Sequence, residues 1–186
     1  MKILFTSIAA LALTGTVALA QDGSAWDGAY GGVTASSHSG DMLYDDGGAF
    51  DLDGNSVGLI LGYNRSSGAL VYGGELSYSD GDVEEVGNPG FLFTSFLDVK
   101  ARVGYAAGNA LIYGTIGATS SRWTESDESF GGHGLLYGVG VDYLVSPTIF
   151  LGGEYVIRDI ESDWNTDGDT LDADLGSLSL RLGMKF

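Results

Sequence analysis

Leu135-Leu136-Tyr137-Gly138-Val139-Gly140-Val141-Asp142-Tyr143 carries a large apolar residue at every odd position, while Gly138, Gly140 and Asp142 hold three of the even ones. A period of two marks a strand with two unlike faces. The end of the chain repeats the pattern: Leu178, Leu180, Leu182, Met184 and Phe186 alternate with Ser179, Arg181, Gly183 and Lys185. Working outward from these two combs, alternation is read over eight stretches: 26–35, 54–63, 69–79, 93–105, 110–119, 134–144, 149–160 and 174–186. Most approach the roughly ten residues that a tilted strand needs to cross a bilayer.

The connections are unequal in an ordered way. Those at 64–68, 106–109 and 145–148 are short, and those around 36–53, 80–92, 120–133 and 161–173 are long. Short and long alternate, so up-and-down strands put every long loop at one end. Outer-membrane barrels have this asymmetry, with short periplasmic turns and long external loops. The expected fold is all-β: an eight-stranded antiparallel up-and-down transmembrane β-barrel with both termini at the periplasmic end.

Composition agrees. The 186 residues include 31 Gly and 10 Tyr but only 2 Pro and no Cys, which suits strands and turns and excludes disulfide or thiolate chemistry. The net charge of −17, from 8 basic and 25 acidic residues, excludes a basic face for nucleic acid. Met1-Lys2 is a short basic start, 3–13 is an apolar run softened by Thr6 and Ser7, and Ala18-Leu19-Ala20 is a small-x-small cleavage site. This reads as a secretory signal peptide over 1–20, with the barrel domain over 21–186. The run is too short for a spanning helix, which needs about 20 apolar residues.

A soluble sandwich also alternates, so the second face must discriminate. With the apolar comb turned outward, Glu75, Asp98, Lys100, Arg102, Asp142, Glu154, Arg158, Arg181 and Lys185 face inward. Processing leaves 7 basic residues, and five of them share this face with four acids. Near balance predicts a paired network filling a narrow interior, because buried charges persist only when paired. Tyr63, Tyr72, Tyr105, Tyr113, Tyr143 and Phe186, joined by Trp26 and Tyr30, are expected outward as a girdle at the short-turn end; Tyr78 and Phe93 are candidates for the opposite girdle. The remaining acids gather in the long connections and place the negative charge outside.

Trp26-Asp27-Gly28-Ala29-Tyr30-Gly31-Gly32, the Leu-x-Tyr pattern at Leu70/Tyr72 and Leu111/Tyr113, and the ending Leu178 to Phe186 resemble the OmpA-type, opacity-protein-like family of outer-membrane barrels. The resemblance covers the chain beyond its leader. It implies export, folding by the barrel-assembly machinery, and residence among outer-membrane lipid and lipopolysaccharide. A monomer is expected, and the end at Phe186 implies no cell-wall tether.

Three chemistries remain. A lipid-A-modifying enzyme needs a nucleophile, a base and an orienting acid. His38, near Ser36, Ser37 and Ser39, and His133 are the two histidines; both are expected as plain residues in or beside long loops, so no catalysis is expected. Asp163, Asn165, Asp167, Asp169 and Asp174 partly match a calcium loop, with oxygen donors at positions 1, 3, 5, 7 and 12 and Gly168 at 6. Weak Ca²⁺ binding in the last long loop is the one ligand suggested, and no cofactor is expected. A small-solute pore is opposed by nine charged side chains in an eight-stranded interior.

Overall fold

The computed structural model describes residues 23–44, 49–125, 128–163 and 170–186. The proposed leader and three of the five suggested calcium donors, Asn165, Asp167 and Asp169, lie outside them. The strands are β1 (Gly28–Tyr44), β2 (Ala49–Ser67), β3 (Leu70–Glu85), β4 (Asn88–Ala107), β5 (Ala110–Glu125), β6 (Glu128–Leu144), β7 (Ile149–Asp163) and β8 (Thr170–Lys185), preceded by a 3-10 turn at Gly23–Trp26. Every strand pairs antiparallel with its sequence neighbours, and β8 closes on β1. Gly68 and Gly108, with φ of 61° and 63°, supply the left-handed backbone of two tight turns.

The strands are longer than the combs suggested. Most residues assigned to the four long connections are strand, so the external end is a continuation of the barrel wall. The reason shows in β8. Its outward face runs Met184, Leu182, Leu180, Leu178, Gly176, Asp174, Asp172, while its inward face runs Arg181, Ser177, Leu175, Ala173. The alternation is unbroken, but its chemistry inverts near Gly176. On β2, Val57, Leu59, Leu61 and Tyr63 are exposed outward; further up, Asp51 and Asp53 take that face and Leu52 turns in. Below the inversion the wall meets lipid, and above it the wall meets water. A reading that follows the apolar comb loses the strand where the solvent changes.

The aromatic assignment needs correction. Tyr63, Tyr72, Tyr78, Tyr105, Tyr143 and Phe186 are exposed, but Trp26, Tyr30, Phe93 and Tyr113 are buried inside. Glycines on facing strands make room for such rings. Tyr30 pairs with Gly62, Tyr113 with Gly140 and Phe150 with Gly183, and a Cβ at each glycine would run into the ring. Ring and glycine together fill the space of two ordinary side chains.

Candidate functional site

The interior is stacked in layers. At the periplasmic end Trp26, Tyr30, Leu111, Leu144 and Phe150 belong to one apolar cluster. Above it lie three acids, Glu75, Asp142 and Glu154, and three bases, Lys100, Arg102 and Arg181, all buried. Glu75 is met by Lys100 at 2.6 Å, Arg102 at 3.0 Å and Arg181 at 2.6 Å. Arg181 also reaches Asp142 at 3.2 Å and Glu154 at 2.5 Å. Lys100 reaches Glu154 at 2.8 Å, and Arg102 reaches Asp142 at 2.7 Å. The rings join in: Tyr30 donates to Glu75 at 2.8 Å, Tyr113 to Glu154 at 3.2 Å, and the Arg102 guanidinium lies 3.8 Å from the Tyr113 centroid.

A second polar cell sits above. Arg158 holds Asp98 at 2.7 Å, and Thr119 and Ser77 donate to the same carboxylate at 2.7 and 3.1 Å. Arg158 also donates to Ser177 at 2.6 Å. His38 belongs here. It was expected in a surface loop, yet it is 1% exposed, stacked on Phe96, with Nδ1 2.7 Å from Ser177 and Nε2 2.7 Å from Ser56. Its partners are not the neighbouring serines Ser36, Ser37 and Ser39. A neutral imidazole, donating from one nitrogen and accepting at the other, satisfies both contacts.

Eight of the nine residues assigned inward are thus brought together as four acids and four bases. Lys185 is the exception. It is half-buried at the periplasmic mouth, where Asp27 is the carboxylate that bears on it. Glu85, assigned to a long connection, is buried as well, so the buried charges among the described residues are five acids and four bases, an imbalance of one with the opposite sign to that expected. A further apolar cluster closes the external end: Met42, Leu52, Val83, Phe93, Phe96, Trp123, Ile160, Ala173 and Leu175. The comb reading missed this cluster, and its signal was the apolar residues left on the inward parity above Gly176.

Among the described side chains, external charge is sorted around the circumference. Asp159, Asp174, Asp41 and Asp51 form one registered row across β7, β8, β1 and β2, and all four are exposed. Asp53, Asp80, Asp82 and Glu84 extend the acidic sector onto β3. On the outer faces of β4, β5 and β6, no acid has a described side chain, and Arg122 and His133 are exposed there. His133 stands in register between Ser120 and Glu161, and no hydrogen bond joins these three among the described residues. Of the suggested calcium donors, only Asp174 has a described side chain, and it belongs to the aspartate row.

A closed sheet with an apolar outer band, an aromatic rim and a paired, filled interior defines a small transmembrane β-barrel. The sequence profile of the outer membrane protein beta-barrel domain matches residues 7–186, and the chain belongs to that family. A 22 kDa outer membrane protein of Rhizobium leguminosarum bv. viciae is 32% identical over 174 residues, spanning 87% of this chain and 78% of that one. The fold is similar to that of Neisserial surface protein A, with a TM-score of 0.58 and 22% identity over 86% of this chain and 100% of that one. It is also similar to Ail, the attachment invasion locus protein of Yersinia pestis, with a TM-score of 0.52 and 16% identity over 86% of this chain and 99% of that one. The protein is an outer-membrane β-barrel.

Proposed function

We propose that this barrel serves a structural and surface-interaction role as a monomer, anchoring an acidic external wall and passing no solute. The filled interior carries the reading. Apolar clusters close both ends, and paired charges occupy the middle. A water path would require several layers to part together. Planar-bilayer recording of the purified protein is the test: no stable conductance is expected, and a steady, sizeable one sinks the proposal. The external wall is strand rather than loose loop, so it presents a rigid acidic surface to cationic partners or divalent ions. Deletion is expected to change envelope permeability or surface adhesion. Insertion would use the barrel-assembly machinery, with Phe186 exposed at the end of the last strand.

A second reading has one observation in its favour. Ser120, His133 and Glu161 are neighbours on the outer face, the residue types that an esterase acting on outer-leaflet lipid would need. The lack of hydrogen bonds between them ranks this below the binding role. Mass spectrometry of lipid A from expressing cells decides: loss of an acyl chain with the wild type but not with His133→Ala would establish the enzyme.

A further inference from the structure

The outer faces of β8, β1, β2 and β3 form a trough of 890 Å³ at the level where the wall passes from lipid to water. Two registered rows show how it is built: Leu180–Ala35–Val57–Asp80 and Leu178–Ser37–Asn55–Asp82. Each row starts on a leucine, crosses a small residue and ends on a carboxylate. Leu178 and Leu180, 60% and 71% exposed, continue the lipid-facing band. Ala35 and Ser37 make a low floor, because β1 carries small side chains where its neighbours carry larger ones. Asp53 and Glu84 pair one row higher and extend the acidic side.

Among the described residues, no cation of this chain faces the acidic side. Of the eight basic residues only Lys2 lies outside the described ones. Lys100, Arg102, Arg158 and Arg181 are inside, Arg65 and Lys185 lie at the periplasmic end, and Arg122 is on β5, beyond β4. The Tyr78 hydroxyl donates to Asp80 at 3.4 Å, which orients that carboxylate without neutralising it. Asp80, Asp82 and Glu84 occupy alternate positions of β3, so they are spaced by about 6.6 Å. Basic residues four apart on an α-helix are spaced by about 6 Å along its axis. The barrel is closed and offers no free edge for a strand to join, so a bound peptide lies on the face of the wall.

We propose that this trough docks a cationic amphipathic helix, with its lysines or arginines against Asp80, Asp82 and Glu84 and its apolar residues against Leu178 and Leu180. On such a helix the two kinds of side chain lie on adjoining arcs, as the two walls require. Charge complementarity on one wall and continuity with the lipid band on the other commit the site to a peptide that carries both. A polycation with no apolar face would leave the leucines uncovered, and so would a divalent ion. The inference rests on the surface-interaction reading and names the class of partner; conductance does not bear on it.

The test uses the full chain in phosphatidylcholine nanodiscs and two labelled peptides of about 18 residues, five helical turns. One is an amphipathic helix of leucine and lysine; the other has the same composition, shuffled so that it has no apolar face. Fluorescence anisotropy above that of empty nanodiscs reads binding. The wild type is expected to bind the amphipathic peptide about tenfold more tightly than the shuffled one. Asp80→Asn, Asp82→Asn and Glu84→Gln combined are expected to weaken it about tenfold, the loss of three exposed charge contacts. Ser37→Trp, which fills the floor and keeps every carboxylate, is expected to weaken it as much while retaining heat-modifiable gel mobility. Asp41→Asn, Asp159→Asn and Asp174→Asn combined, which remove as many charges outside the trough, are expected to change it less than about twofold. Equal loss in the two triple variants overturns the trough and leaves attraction to the acidic wall as a whole. Equal binding of the shuffled peptide, or binding indifferent to Ser37→Trp, overturns it too. No binding of either peptide to the wild type overturns both the trough and the cationic partner.

Discussion

The Tyr113 ring occupies the space that a side chain at Gly140, its registered partner across β5 and β6, would fill. The ring is inside, 3% exposed, against the Arg102 guanidinium. Gly140→Ala forces the ring off its place in a packed interior, which costs about 1–3 kcal/mol. A lower temperature for loss of heat-modifiable gel mobility is expected. Gly114→Ala, at an outward glycine with open space beside it, is expected to change little.

The Asp98–Arg158 cell separates pairing from packing. Arg158→Met leaves a buried carboxylate held by Thr119 and Ser77 alone. Breaking a buried pair from one side costs about 3–5 kcal/mol. Adding Asp98→Leu removes the stranded charge and is expected to recover much of the loss. Urea unfolding of the two variants measures this; a double variant no more stable than the single one would contradict it.

The external wall has a core of its own, and Trp123 lies at its centre, stacked on Phe130 at 4.4 Å with its indole donating to Ser162 at 3.0 Å. Trp123→Ala is expected to cost about 3–5 kcal/mol. The loss should fall on the external wall, which opens while the lipid-embedded strands remain paired. Trypsin added outside proteoliposomes reads this at Arg122: cleavage in the variant and resistance in the wild type.

The row Asp159–Asp174–Asp41–Asp51 sets like charges opposite one another on neighbouring strands. Such pairs repel, at up to about 1 kcal/mol each, and salt screens them. Asp41→Asn combined with Asp174→Asn is expected to raise the urea midpoint at low ionic strength. The gain should shrink at high salt, and a lowered midpoint would mean that the row is held by bound cations instead.

The parts of the fold that were legible in the sequence share one cause. On β6 and β8 one parity is uniformly apolar and the other carries glycine or charge, so each side chain's face is settled locally. The eight charges correctly assigned to the interior lie on strands, or near residues, where that contrast is strong. Leu111-Ile112-Tyr113 is apolar on both parities, and nothing local says which residue turns in. The space above Gly140 on the next strand decides it. Phe91-Leu92-Phe93 has the same ambiguity, and a bulge after Phe93 adds a register shift.

His38 shows the other limit. Placed among serines, glycine and aspartate, it resembles a loop residue, but it is buried because Ser56, Ser177 and Phe96 converge on it from three other strands. The sequence by itself determined that the chain is strands, how many there are, how they alternate in direction, and which charges the lipid-facing comb excludes from the outside. Alternation is a property of one strand, and lipid imposes it at every second residue. The tertiary structure alone decided how far the wall rises above the membrane, which rings fill it, and which described acids fall into one registered row. Those depend on which solvent meets each face and what the neighbouring strand offers, and neither is written in the order of residues along one strand.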